Sequence, residues 1–237
     1  MGLDIYVGSL TRYYRRDWET IVQQAGRESG MEVKIIYARE SDPDPDLSED
    51  ETRAAILDWR AGLTKQLATH LPDGLYWSEE SNTPYFTDKP DWSGYGALVL
   101  WAAFAEQPQL IRPMEAIKEW EDSPALKASQ AKGFSSKFPS LIKGVELWLP
   151  GQFNFIFTAS DASGGETLMG STGRLQAELI KLNQMTWRAS DDDIREWRLA
   201  IDPNTSSFDE LARFGYSIFS SLVEEAVKHK LPMKMDY

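Results

Sequence analysis

The segment at residues 96–106 is apolar at nearly every position, and it most constrains the fold of this chain. A helix or strand that is hydrophobic all round is buried on several sides, so other elements must pack around it. The chain has 237 residues, of which 42% are hydrophobic, which is enough material for a real core. We therefore expect a globular protein with residues 96–106 in its core.

Charge and cysteine content restrict the possible functions. Lys and Arg number 25 against 37 Asp and Glu, so the formal net charge is -12 and nucleic acid is disfavoured as a partner. The chain has no cysteine, which excludes disulfides and thiolate metal sites and agrees with a reducing cytoplasm. No signal-peptide pattern opens the chain, and its longest apolar run is shorter than the roughly 20 residues that span a bilayer. We expect a cytoplasmic protein that does not enter a membrane.

Alternation and helical spacing predict the first elements. Residues 4–10 read as a strand with Ile5 and Val7 on one face, followed by a helix over about residues 17–27 and a strand over residues 32–37. The connection between the strands is long enough for a parallel crossover, and the sequence leaves their pairing open.

Two capping boxes predict where later helices begin. Ser48 with Glu51 precedes an amphipathic pattern that continues to about residue 70. Ser207 with Glu210 precedes an apolar stripe at spacings of three and four residues. These are the clearest helices in the sequence.

Strand candidates appear in the second half of the chain. Residues 145–149 and 153–158 are separated by Pro150 and Gly151, which suits a hairpin or a bent strand. Residues 161–173 read as a glycine-rich loop that opens a helix. We predict a single α+β domain over residues 1–237, with a small mixed sheet of about four strands packed by five to seven helices.

Two partial motifs lack residues that their chemistry requires. Residues 165–172 have the spacing of a phosphate-binding P-loop, but Ser171 stands in place of the lysine, so a helix-capping turn is favoured. Asp42, Asp44 and Asp46 have the spacing of a calcium loop, but the glycine that the turn needs is missing. We interpret these three aspartates as part of a solvated acidic loop.

Histidines and arginines give no complete site either. His70 and His229 both lie near predicted helix C-termini, where a cation is favoured, so a histidine metal centre and a Ser-His-Asp triad are disfavoured. We expect no metal and no cofactor. The basic and aromatic cluster at residues 12–18 suits stacking on a single-stranded nucleic acid, but its neighbouring acids favour a plain polar surface.

Aromatic rings and carboxylates lie close together between residues 76 and 95, in a segment without helical or strand period. Such rings either plug into a core built elsewhere, here through Trp77, Phe86 and Trp92, or line a concave surface with acids at its rim. Asp4 and Tyr6 belong to the same candidate region, because a carboxylate between apolar strand residues needs a partner. The candidate binding residues are Tyr76, Trp77, Glu79, Glu80, Tyr85, Asp88, Asp91, Trp92, Tyr95, Asp4 and Tyr6.

The opening of the chain carries a resemblance. It reads Met-Gly-Leu-Asp-Ile-Tyr-Val-Gly, followed by Leu10, Thr11, Arg12, Tyr13 and Tyr14. This opening resembles a group of hypothetical bacterial proteins that have no assigned activity. The resemblance implies a free-standing bacterial protein and assigns no catalytic residue.

Two functions are compatible with these features. An acidic composition, abundant aromatic residues and the lack of a complete catalytic set favour a binding or interaction protein, whose ligand is a basic protein or a polar small molecule. One concrete form is the neutralisation of a cationic nuclease. The alternative is a hydrolase acting on a polar, sugar-like substrate through the carboxylates of residues 76–95. The sequence leaves open whether the chain is an enzyme.

Overall fold

A computed structural model describes residues 2–31, 33, 47–115, 119–199 and 206–237. The predicted strand at residues 32–37 and the acidic triplet Asp42, Asp44 and Asp46 lie outside the described residues, apart from Val33. The strands are β1 (Asp4–Val7), β2 (Phe86–Asp88), β3 (Leu147–Leu149), β4 (Phe157–Ser160), β5 (Glu166–Ser171) and β6 (Met233–Asp236). The helices are α1 (Leu10–Arg15), α2 (Ile21–Glu28), α3 (Glu49–Gln66), α4 (Asp91–Glu106), α5 (Pro124–Gln130), α6 (Pro139–Ile142), α7 (Thr172–Met185), α8 (Asp191–Glu196) and α9 (Phe208–His229), with a 3-10 turn at Trp120–Asp122.

The strands form one mixed sheet in the order β2-β1-β6-β3-β5-β4. Only the β3–β5 pair is parallel among the described strand pairs. The predicted α+β class and mixed sheet are confirmed. The predicted numbers are wrong, since the described chain holds six strands and nine α-helices rather than about four and five to seven. Several elements are too short to show a period, β2 and β3 having 3 residues each.

One row of side chains crosses the whole sheet and lies on one of its two faces. Tyr6 of β1 pairs with Thr87 of β2 and with Lys234 of β6. The row continues through Leu147 and Met169 and ends at Phe157 of β4. Because strand side chains alternate, Ile5 and Val7 lie on the opposite face, as predicted.

That opposite face packs against α7 and α9, α4 packs against α9, and the larger core lies among them. Every residue of α4 from position 94 to position 104 is buried, which confirms the burial on several sides predicted for residues 96–106. The segment is a helix, and it begins at Asp91, before the predicted start.

The second face is covered by α1, by α3 and by the chain that follows α3. Leu10, Ile56, Leu63 and Trp77 pack there against the apolar half of the row, which is Leu147, Met169 and Phe157. The other half of the row is polar or aromatic and lies under α1, where Tyr13 and Trp18 contact Tyr6.

The helix starts predicted from capping boxes are confirmed. The backbone N–H of Ser48 donates to Glu51 at 2.8 Å, and that of Ser207 donates to Glu210 at the same distance. Ser171 also caps α7, as its side chain accepts a bond from the backbone N–H of Arg174 at 3.2 Å. No helix in the described ranges combines the length and the apolar character needed to cross a membrane.

The first elements differ from the prediction. The strand at residues 4–10 ends at Val7, because Ser9 caps the short helix α1 that begins at Leu10. The next helix begins at Ile21 rather than near residue 17, since Thr20 forms the capping box. A local hydrogen bond, from the backbone N–H of Arg12 to the Ser9 hydroxyl at 3.4 Å, therefore favours a helix where the sequence predicted the end of a strand.

The predicted hairpin and glycine-rich loop are corrected as well. β3 does not pair with β4. It pairs in parallel with β5, which occupies residues 166–171 of the segment predicted as a loop. β4 and β5 form the hairpin, closed where the backbone N–H of Asp161 donates to the carbonyl of Gly165 at 2.7 Å. Gly164 at φ 87° permits this tight turn.

The buried carboxyl group of Glu178 predicts a pH-dependent stability. Glu178 on α7 is 5% exposed and accepts bonds from Arg174 and from the backbone and side chain of Ser140. Burial raises its pKa from 4.5 to about 7, and the bonds from Arg174 and Ser140 offset only part of that effect. The folded state therefore retains a proton that the unfolded chain loses. Its stabilising effect is complete below pH 4.5 and is lost as the pH rises through 7.

We expect the free energy of unfolding to fall by about 1–3 kcal/mol more between pH 5 and pH 8 in the unmodified chain than in Glu178→Gln. Urea unfolding at both pH values measures this difference. Glu166→Gln, on the exposed start of β5, is the control and should keep the pH dependence of the unmodified chain. Equal pH dependence in the Glu178→Gln chain would contradict the prediction.

Candidate functional site

Four aromatic rings pack together under α1. Tyr6 is fully buried, with its ring centroid 5.4 Å from that of Tyr13 and 5.0 Å from that of Trp18. Tyr85, from the chain that leads into β2, stacks on Tyr6 at 6.2 Å. The hydroxyl group of Tyr6 donates to the carbonyl of Ser9 at 2.9 Å. The ring of Tyr85 thus stacks on a fully buried aromatic ring.

A buried carboxylate links this cluster to the last strand. Asp236 on β6 is 8% exposed, and one of its oxygens accepts bonds from the Tyr13 hydroxyl and from Arg16, both at 2.7 Å. Burial and the adjacent Asp236 carboxylate raise the pKa of Tyr13 well above its ordinary value. The hydroxyl group of Tyr13 therefore acts as a donor.

A second buried ion pair lies in the same layer. The Nζ of Lys234 is 3.3 Å from a carboxylate oxygen of Asp161, and both side chains are at most 10% exposed. Burial favours protonation of Asp161, but the hydrogen bonds from Ser163 and the charge of Lys234 outweigh it and hold its pKa below 3.8. The ammonium also lies 5.5 Å from the ring centroid of Tyr13. These charges are matched within the fold.

Glu79 has a structural role at the start of α1. Its carboxylate accepts the backbone N–H of Leu10 at 3.1 Å, that of Thr11 at 2.8 Å and the indole N–H of Trp77. Glu79 is 5% exposed. Both of its oxygens are thus engaged in holding α1 against the chain after α3.

Arg12 joins the same region to Tyr85. Its guanidinium lies 5.0 Å from the ring centroid of Tyr85 and donates to the carbonyls of Ser81 and Thr83. Residues 79–85 are consequently tied to α1 through Glu79, Arg12 and the aromatic stack.

The structure divides the sequence-predicted candidates into separate groups. Tyr6, Trp77, Glu79 and Tyr85 lie on the α1 face of the sheet. Trp92 and Tyr95 lie in or against the larger core, whereas Tyr76 is 74% exposed and Glu80 is exposed. The three acids Asp4, Asp88 and Asp91 lie near the start of β1 and the end of β2, and each is paired with a cation. The predicted segment does not form one cleft.

Lys89 and Arg198 are the partners of these three acids. The Nζ of Lys89 lies 3.5 Å from Asp4 and 3.4 Å from Asp91. Burial raises the pKa of Asp4, an effect that Lys89 partly offsets. Asp88 is 7% exposed and forms an ion pair with Arg198. The predicted need of Asp4 for a partner is therefore met by Lys89.

A cavity of about 430 Å³ opens beside β2, the terminal strand of the described sheet. Its walls come from α2, from β2 with Tyr85, from α9 and from the chain just after α8. The lining residues that bear polar groups include Gln24, Arg27, Thr87, Arg198, Ser221 and Glu225. This volume lies in the range of small-molecule and peptide-residue sites. We take it as the candidate functional site.

Hydrogen bonds fix the floor of this cavity. The side-chain amide of Gln24 donates to the Thr87 hydroxyl at 3.2 Å and to the carbonyl of Glu19 at 2.8 Å. Arg198 donates to the Ser221 hydroxyl at 3.0 Å and pairs with Asp88. The site is preorganised, because its polar groups are held before any ligand arrives.

The sequence predicts Tyr85, which lines the cavity, and Asp88, which pairs with the lining Arg198, but it does not predict the walls from α2 and α9. Arg27 and Glu225 occupy ordinary surface positions of amphipathic helices, and Arg198 follows a short acidic helix. Their convergence depends on tertiary structure. Two buried charged residues of β6, Lys234 and Asp236, carried a weak signal, since the final residues alternate Met-Lys-Met-Asp as a strand does.

Within the described ranges, no cluster of three or more histidine and acidic residues has the arrangement of a metal site. Comparisons with models of protein families, with curated proteins and with solved structures each gave no match.

Proposed function

We propose that this chain is a binding protein that accepts an extended segment of a basic polypeptide in the cavity beside β2. The observation that carries the proposal is the position of the cavity, which lies beside β2, the terminal strand of the described sheet. Sheet edges are recurrent sites for the addition of an extended peptide.

The short length of β2 decides how such a peptide is held. The strand has 3 residues, so few main-chain hydrogen bonds can form along it. Binding must therefore rely on side-chain contacts with α2, α9 and Arg198. Recognition by a few anchors in a preformed cavity is typical of peptide sites.

The charge of the chain supports a basic partner. A formal net charge of -12 accelerates encounter with a cationic protein and repels anionic ones, an effect that salt screens. The neutralisation of a basic enzyme is one form that this function can take.

The alternative hydrolase function gains no support from this geometry. Both carboxylate oxygens of Glu79 accept hydrogen bonds from α1 and from Trp77, and Asp88 is paired with Arg198. Glu80 is exposed, and Asp91 lies beside Lys89. A glycosidase needs two carboxyl groups that face one substrate bond.

Labelled octapeptides test the proposal. We expect a peptide with four lysines and a free C-terminus to bind at least about tenfold more tightly than a matched peptide with four glutamates. We also expect about tenfold weaker binding when the salt is raised from about 20 mM to about 200 mM, because the steering charge is screened. Fluorescence anisotropy measures both effects.

A matched pair of tryptophan variants places the binding. Ser221→Trp puts an indole into the cavity and should abolish binding, whereas Gln184→Trp adds the same ring on the exposed surface of α7 and should not. Circular dichroism confirms that both variants fold. Equal binding of the two peptides, or unchanged binding by Ser221→Trp, would overturn the proposal.

A further inference from the structure

The side chains that line the cavity include more basic than acidic groups, although the chain as a whole is acidic. Two arginines, Arg27 on α2 and Arg198 after α8, line the cavity together with a single described carboxylate, that of Glu225. The chain as a whole carries 12 more acidic than basic groups, from 37 Asp and Glu against 25 Lys and Arg. Each guanidinium group has a carboxylate partner, Glu19 or Asp88, so the cavity offers N–H donors for an anion rather than an excess of positive charge.

Arg27 is available to a ligand. Its guanidinium lies 3.1 Å from Glu19, and the two side chains are 67% and 39% exposed. Exposed ion pairs of this kind contribute little, since both groups keep most of their hydration. An incoming carboxylate can therefore replace or share Glu19 at low cost.

Arg198 is fixed in place and still retains exposed donors. It pairs with the buried carboxylate of Asp88 and donates to Ser221 at 3.0 Å, yet 40% of its side chain is exposed. A guanidinium group carries five N–H donors, and these contacts leave others free. A fixed, partly hydrated arginine is well suited to bind a carboxylate.

We infer that the cavity captures the C-terminal carboxylate of the basic polypeptide between Arg27 and Arg198, an inference that rests on the proposed function. A C-terminal carboxylate is the anionic group that every polypeptide carries, including a strongly basic one. Long-range attraction to the acidic chain and local attraction of the terminus to the two arginines then act on the same ligand.

Glu225 extends the match to the residue before the terminus. Its carboxylate lies 3.2 Å from Lys228 and 3.2 Å from His229, both on the surface of α9. These exposed pairs are exchangeable, so Glu225 can accept a lysine or arginine of the ligand. The cavity thus suits a segment that ends in a basic residue followed by its terminus.

The volume agrees with a terminal segment rather than with a continuous chain passing through. A cavity of about 430 Å³ holds one or two residues, and the rest of the peptide must lie along the surface next to β2. The terminal residue is then the principal anchor, and residues further from the terminus contribute mainly through charge.

Amidation of the C-terminus tests this inference. The probe is the labelled four-lysine octapeptide, prepared once with a free carboxylate and once as the C-terminal amide. We expect the free acid to bind at least about tenfold more tightly, because a charge-assisted pair with arginine is replaced by a neutral amide. Amidation also raises the positive charge of the peptide, so general attraction to the acidic chain predicts the opposite order.

Three arginine variants test which arginine causes the preference for the free acid over the amide. Arg27→Gln should reduce the preference for the free acid to about twofold or less. Arg198→Lys keeps its charge but loses the planar fork, and it should reduce the preference while Asp88 retains a cationic partner. Arg195→Gln is the control, since Arg195 is 73% exposed in α8 and lies outside the cavity.

The outcomes separate the inference from the function on which it rests. Equal binding of acid and amide by the unmodified chain overturns the capture of the terminus and leaves the binding function intact. Failure of both peptides to bind overturns both. An equal loss of preference in Arg195→Gln and Arg27→Gln would show a general charge effect and would also overturn the inference.

Discussion

Replacing Glu79 by alanine is expected to lower the free energy of unfolding by about 3–5 kcal/mol. Glu79 lies in the chain after α3 and is 5% exposed. Its two oxygens accept the backbone N–H groups of Leu10 and Thr11 and the indole N–H of Trp77. Alanine offers no acceptor, so three donors lose their partner in a site from which water is largely excluded.

The magnitude follows from the position of these donors. Leu10, Thr11 and Trp77 are all buried, at 0%, 3% and 1% exposure. A buried donor without a partner costs about 1–3 kcal/mol, and the vacated volume adds a smaller amount. The N-terminus of α1 also loses a favourable negative charge.

Urea unfolding followed by tryptophan fluorescence and by circular dichroism measures the loss. Glu79→Gln retains one oxygen acceptor and should cost about half as much as Glu79→Ala. Glu80→Ala is the neighbouring control, and because Glu80 is exposed we expect a change within about 0.5 kcal/mol. A Glu79→Ala chain with the stability of the Glu80→Ala chain would show that α1 does not depend on this carboxylate.

Glu79 also shows what the sequence could and could not predict. A local pattern, the closeness of rings and acids in residues 76–95, predicts Glu79 as a candidate binding residue. Its structural role depends on the backbone N–H groups of Leu10 and Thr11, which lie 69 and 68 positions earlier in the chain. A pattern within residues 76–95 carries no information about such partners.

Local chemistry predicted the long helices well. The capping boxes at Ser48 and Ser207 and the cap at Ser171 involve groups within three residues of each other, so the sequence contains the whole interaction. The apolar character of α4 likewise predicted its burial, although the sequence could not distinguish a helix from a strand there.

Short strands were less predictable. β2 and β3 have 3 residues each, which is too few for an alternating period, and β6 follows directly on a long helix. Their place in the sheet is determined by pairing with distant strands, as when β1 pairs with both β2 and β6. The cavity beside β2 also depends on contacts between residues that are distant in sequence, since it is lined by α2, β2, Arg198 and α9.

Replacing Gly215 by alanine is expected to lower the free energy of unfolding by about 2–4 kcal/mol, because the backbones of α4 and α9 are in close contact at Gly94 and Gly215. A Cβ atom at Gly215 would overlap the carbonyl oxygen of Gly94, lie 2.8 Å from its carbonyl carbon and approach Leu98 to 3.3 Å. The overlapped atoms belong to the backbone of a buried helix, so no side-chain rotation relieves the contact. The two helices must separate, and the core that they share loses contacts.

Two further glycines separate crowding from helix propensity. Gly94→Ala, on the other side of the same contact, places its Cβ 3.2 Å from the ring of Phe214 and 3.6 Å from the Cα of Gly215, so we expect a smaller loss of about 0.5–2 kcal/mol. Gly62→Ala in α3 meets no atom within 4 Å and should stabilise the chain by about 0.5–1 kcal/mol, since alanine favours the helix over glycine. Thermal and urea unfolding of the three variants measure this order. If Gly215→Ala stabilised the chain as Gly62→Ala is expected to, α4 and α9 would not pack as closely in solution as their backbones do here.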